Sequence, residues 1–166
     1  MQRFFLILLL ISLFSCETPD ENSQITDVER VVRKMNLALA NHDHFQLLAC
    51  YSDEMDWENS FGWTIRNKDT LNTYFKDWLF TRYPKLDSHR LSLKFNIKFI
   101  SKQTAWVDVL QEINSEDMNS VVRTYRQTHL LIKRSDGWLI KKTRLWAPTP
   151  NDNPPIEFLS SPSFFE

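Results

Sequence analysis

The side chains in this sequence whose type and spacing could do chemistry are few: Asn59, Asp108 and the alternating set Arg123, Tyr125, Gln127 and His129. Asp108 shares a strand face with Trp106, Leu110 and Glu112, while Val107 and Val109 take the other. Turned inward among aromatic rings, its carboxyl would have a raised pKa suited to acid or base work; turned outward, it would pair with an arginine, the commoner arrangement. His129, with Tyr125 and Gln127 on its face, could hold a polar ligand or move a proton. A lone histidine on such a strand is more often a hydrogen-bonded structural residue. In DWENSFGW, residues 56–63, alternation sets Trp57 and Asn59 on one face and Asp56 and Glu58 on the other. Asn59 then either reaches into a pocket beside Trp57 and Trp63 or caps the turn by bonding its own backbone.

Other chemistries are excluded by what the chain lacks. With two glycines in 166 residues there is no G-x-S-x-G elbow, P-loop or dinucleotide fingerprint. His42 and His44 stand two apart with nothing beside them at zinc-ligand spacing, so neither metal nor cofactor is expected. A net charge of -1 offers no field for a phosphate backbone, which argues against nucleic acid. Six tryptophans, four tyrosines and twelve phenylalanines favour a cavity for a small apolar or aromatic molecule.

The elements that must position these groups follow from periodicity. Thr26 and Glu29 match a capping box, and Val28, Val31, Val32, Met35 and Leu39 recur at helical spacing as far as Ala40. A break at residues 41–43 precedes a short second helix ending near Ser52 and Asp53. Residues 55–60 and 63–66 read as a hairpin turning at Gly62. Asp69 can cap a third helix that carries Leu71, Tyr74, Phe75, Trp78, Leu79 and Tyr83 and stops at Pro84. Residues 91–99, 105–113, 121–134 and 138–147 are strands, the last two joined at Ser135, Asp136 and Gly137. Helices first and strands after predict an α+β fold: a cone-shaped, curved antiparallel sheet wrapped around about three N-terminal helices.

The ends of the chain read as an address and a tail. Residues 1–15 form a signal sequence, with Arg3 before an apolar run too short to span a bilayer. The ending Leu13-Phe14-Ser15-Cys16 resembles a bacterial lipobox, which makes Cys16 the lipidated N-terminus of the mature chain and places the protein at the bacterial cell envelope. Residues 16–24 are an acidic tether, 25–147 the folded domain, and 148–166 a Pro/Ser-rich tail. With Cys16 acylated, Cys50 has no partner for a disulfide.

The element order, with residues 49–75 (ACYSDEMDWENSFGWTIRNKDTLNTYF) and 128–146 (THLLIKRSDGWLIKKTRLW), resembles the nuclear transport factor 2-like superfamily, which includes SnoaL-like cyclases and ketosteroid isomerases. That resemblance implies a cone with a pocket inside it and often a homodimer through the outer sheet face. Residues 35–62 align with the ketosteroid isomerases without a gap. The proton-shuttling Asp of that family falls on Asn59, its oxyanion-donating Tyr on Met35, and its neutral acid close to Leu130. An amide cannot accept and return a proton near neutral pH, so the isomerase route has lost its agent. Superfamily membership alone fixes no reaction. Three functions follow: a small-ligand binder lined by Trp57, Asn59, Trp63, Tyr125 and His129; an isomerase, cyclase or hydrolase using Asp108 or His129; or a dimerisation or partner-binding module of an envelope assembly. The first is favoured.

Overall fold

The structure, a computed structural model, describes residues 21–146; the signal sequence, Cys16 and the Pro/Ser-rich tail lie outside the described residues. Helix α1 spans Glu21–Ala40, α2 His44–Ala49, and α3 begins at Lys68–Thr73. Strands are β1 Tyr51–Glu58, β2 Thr64–Asn67, β3 Leu91–Ser101, β4 Thr104–Asn114, β5 Val121–Arg134 and β6 Gly137–Trp146. Among the described residues no helix is long and apolar enough to cross a membrane.

The six strands make one curved, unclosed sheet in the order β2-β1-β6-β5-β4-β3. The α+β cone is as the sequence predicts, with one difference in the sheet. β3 to β6 form a meander of hairpins, whose last strand returns beside β1 in the same direction, so β1 and β6 pair in parallel. On the concave side α1 lays Val28, Val32, Met35 and Asn36 against the inner residues of the sheet, including Val107, Val109, Leu131 and Ile140. Alternation assigns the faces: in β4, Val107, Val109 and Gln111 are buried while Trp106 is exposed.

Local chemistry shifts several boundaries. The capping box does not form, because α1 already runs from Glu21 through residues expected in the tether; the Thr26 hydroxyl donates to the Asn22 carbonyl one turn back, and Glu29 pairs with Arg33. Asp43, accepting from the Gln46 amide at 2.9 Å, caps α2, and Asn67 rather than Asp69 caps α3 by accepting from the Thr70 amide at 2.8 Å. Residues 51–53, expected to close the second helix, open β1 instead. Past Thr73 the third helix widens into a π turn, Tyr74–Leu79, before a last α turn, Phe80–Arg82; the Phe80 amide donates five residues back to Phe75. That widened turn sets Tyr74, Phe75 and Trp78 side by side against the sheet, all buried.

Candidate functional site

Between the concave sheet and the helices lies a cavity of about 380 Å³. One side is aromatic. Trp57 of β1 meets Tyr74 at 5.1 Å and the edge of Phe75 at 5.5 Å, and Tyr74 stacks on Trp78 at 5.3 Å. The other side is polar and comes from β4, β5 and β6: Gln111, Arg123, Tyr125, Gln127 and Thr143 all reach the cavity. The sequence places the polar group on a gradient of depth, since Arg123 is exposed, Tyr125 half-buried and Gln127 buried along alternate positions of one strand.

Behind this polar side runs a buried hydrogen-bond network whose direction is fixed by the backbone. Asn36 Nδ2 donates to the Val32 carbonyl at 3.0 Å, which can only accept, so Asn36 Oδ1 must receive the Gln127 Nε2 hydrogen at 2.8 Å. Gln127 Oε1 then accepts from Asn36 Nδ2 and from His129 Nε2, both at 3.1 Å. His129 is thus the Nε2–H tautomer, with Nδ1 accepting from the Thr143 hydroxyl at 2.9 Å, and Thr143 accepts in turn from Tyr51 at 3.0 Å. Gln127 also donates to Gln111 Oε1. Burial pushes the His129 pKa down to about 3, so the ring is neutral at physiological pH. Burial also pushes the Tyr51 hydroxyl up, against the pull of its bond to Thr143.

The expected site residues divide. Trp57, Asn59 and Tyr125 lie on the cavity wall. Asn59 performs both of the roles open to it: Oδ1 accepts the Phe61 and Trp63 amides at 3.0 Å each and so caps the β1–β2 turn, where Gly62 takes φ 84. Its Nδ2 is buried without a partner in hydrogen-bond geometry; the nearby Tyr74 hydroxyl has its pKa raised chiefly by burial, with Asn59 opposing. Met35 also lines the cavity, and its thioether offers no hydrogen bond donor.

The remaining expected residues lie elsewhere. Trp63 sits behind the wall, packed on Phe61 and edge-on to Trp78 at 5.9 Å. His129 is fully buried one layer deeper, opposite Val107 and Thr143 in the ladders, with both ring nitrogens engaged. Asp108 faces outward, because it alternates with the buried Val107 and Val109; it accepts from Trp106 Nε1 at 3.1 Å and Thr128 Oγ1 at 3.0 Å rather than from an arginine. Leu130 points to that same outer face, so the inward positions near it are Gln127, His129 and Leu131. Asp56 and Glu58 pair on the outside with Lys142 at 2.6 Å and Arg144 at 2.7 Å.

Tyr51, Gln111, Thr143 and His42 are among the wall residues that the sequence does not single out. Period two from Val107 and Val109 does point to Gln111. His42 ends α1 at φ 60, a left-handed closure that lays its ring flat on Phe80 at 4.3 Å. Its pKa is lowered by burial, opposed by a hydrogen bond to the Pro84 carbonyl. Among the described residues no three His, Cys, Asp or Glu gather to hold a metal, and the buried Cys50 thiol, pushed up to about 11 by burial, donates to the Gln46 carbonyl.

The geometry has counterparts. A ketosteroid isomerase-like protein from Erwinia carotovora atroseptica superposes with a TM-score of 0.63 at 17% identity, over 78% of this chain and 99% of that one. An NTF-2 like protein of unknown function from Shewanella oneidensis gives 0.54 at 20% identity, over 74% and 98%. This chain has the NTF-2-like cone fold. A domain of unknown function with a cystatin-like fold from Nostoc punctiforme gives 0.61 at 13% identity, over 84% and 85%. No protein-family model matches the sequence, and no curated protein matches it. Likeness at this level of identity concerns the cone and carries no reaction with it.

Proposed function

We propose that this protein is a lipid-anchored domain that binds a small, largely apolar ligand in its cone and does not run ketosteroid-isomerase chemistry. The observation that carries the reading is Asn59: at the position where the resemblance puts a proton carrier, a carboxamide stands on the wall of an aromatic cavity, its carbonyl committed to two backbone amides. Such a group orients a ligand and transfers no proton. Anchoring through Cys16 at the bacterial envelope, and a homodimer through the outer sheet face where Trp106 and Trp146 are exposed, belong to the same proposal.

The test is saturable binding of methyl 2-naphthoate to the full chain, read by tryptophan fluorescence. Leu145→Trp, which fills the cavity from β6, is expected to weaken binding about tenfold or more. Equal affinity in that variant would place the ligand elsewhere and sink the reading.

One observation favours a second reading, an isomerase, cyclase or hydrolase of the SnoaL-like kind. His42 puts an imidazole on the cavity wall, neutral at pH 7 and able to accept a proton. In that case any turnover within the cavity would be lost in His42→Gln while methyl 2-naphthoate still bound.

A further inference from the structure

The two sides of the cavity differ in what they offer a ligand, and the difference follows from the hydrogen-bond directions. Because the Val32 carbonyl fixes Asn36 and Asn36 fixes Gln127, the carbonyl of Gln111 is consumed by the Gln127 N–H. What Gln111 has left for the cavity is its Nε2 hydrogens. Asn59 offers no acceptor either, since its carbonyl is taken by backbone amides and its Nδ2 is buried near the Tyr74 hydroxyl. None of the three wall carboxamides, Asn59, Gln111 and Gln127, therefore offers the cavity a C=O that is not already accepting, and Gln111 presents N–H.

Gln111 lies directly across the β4–β5 ladder from Tyr125, and Tyr125 receives an Arg123 Nη1 hydrogen at 3.0 Å, which leaves the phenolic proton to be given away. An amide N–H, a phenol O–H and a guanidinium thus stand together on one side of the cavity, opposite Trp57, Tyr74 and Phe75. Among the described residues lining the cavity there is no aspartate or glutamate. An anion entering such a site exchanges water for several donors and a cation, whereas an ammonium group would meet a cation and side-chain carbonyls already in use. The depth gradient adds an orientation: the charged residue, Arg123, is at the wet end and the neutral donors are further in.

We propose that the ligand is an apolar acid, a molecule with a flat hydrophobic body and one carboxylate or similar anion, held with its anion on Gln111, Tyr125 and Arg123 and its body on the aromatic side. This rests on the ligand-binding reading and names its ligand class.

Calorimetric titration of the full chain with 2-naphthoate, its methyl ester and 2-naphthylmethylamine tests it. The acid is expected to bind at least about tenfold more tightly than the ester, and the amine more weakly than either. Arg123→Gln, at an exposed position, should abolish the preference for acid over ester. Gln111→Glu still accepts from Gln127 but turns an anionic oxygen toward the cavity, and should weaken the acid far more than the ester. Acid and ester binding equally, or an unchanged ratio in Arg123→Gln, overturns the ligand class and leaves the binding cavity standing. Failure of all three compounds to bind overturns both.

Discussion

Two polar assemblies in this protein stand on opposite faces of one sheet, the inner made of neutral side chains and the outer of charged ones. On the inner face, Gln111, Gln127, His129, Thr143 and Tyr51, with Asn36 of α1, form one connected and buried hydrogen-bond network. On the outer face, Lys141, Lys142 and Arg144 of β6 pair with Glu54, Asp56 and Glu58 of β1, all partly exposed. Water decides what each is worth. Inside, a lost partner leaves a desolvated donor or acceptor with no substitute; outside, solvent replaces it. The outer ladder also crosses the one parallel pairing in the sheet, where opposite charges favour the correct neighbour without contributing much stability.

The sharpest way to break the contrast is Gln127→Leu, which strands Asn36, Gln111 and the His129 N–H together. A loss of about 3 kcal/mol is expected in urea denaturation, with an unchanged m-value. A smaller loss than that of an outer pair would show that the inner network is wet.

Next comes pH. The folded His129 is held well below its unfolded value of 6.5, at about 3, so below 6.5 the unfolded chain takes up a proton that the folded chain refuses. Stability is complete above that value and falls as the pH drops toward 3, at a slope of up to about 1.4 kcal/mol per pH unit. Glu54, held low by Lys141, and Asp117, held at about 2 by Ser115 and Asn119, add acid sensitivity of their own, which His129→Gln retains. The difference between the two proteins across pH 6 to 4 is therefore the readout, at about neutral-to-acid titration of one group. Identical pH profiles would mean that His129 is not sealed.

The smallest effect is expected outside. A double-mutant cycle with Lys142→Met and Asp56→Asn should give a coupling below about 1 kcal/mol, weakening in high salt. Coupling above that would move the outer ladder into the same class as the inner network.

Much of this was legible in the sequence, and the limits have physical causes. Alternation correctly separates Trp57 and Asn59 from Asp56 and Glu58, because every side chain in a strand must choose a face. It leaves undecided which face of β4 is concave, since Val107 and Val109 on one side and Trp106 and Leu110 on the other are both apolar; α1, docked on the valine side, settles it. Trp63 is hidden by a turn geometry that alternation does not describe. His129 shares a face with Tyr125 and Gln127, as alternation places it, but depth along a strand has no signature in local sequence, and depth is what separates a wall residue from a sealed one. The capping box fails for a related reason: a motif at residues 26–29 cannot report that the helix has already begun.

The third helix carries one residue more per turn than its neighbours between Tyr74 and Leu79. A π turn is an α-helix that has absorbed one extra residue, so with one removed the backbone would close at ordinary spacing and the residues past it would keep their facing. The rings of the chamber are thus carried on the one stretch of this helix that holds slack in its length, and a lost residue there would change which of them reach inside.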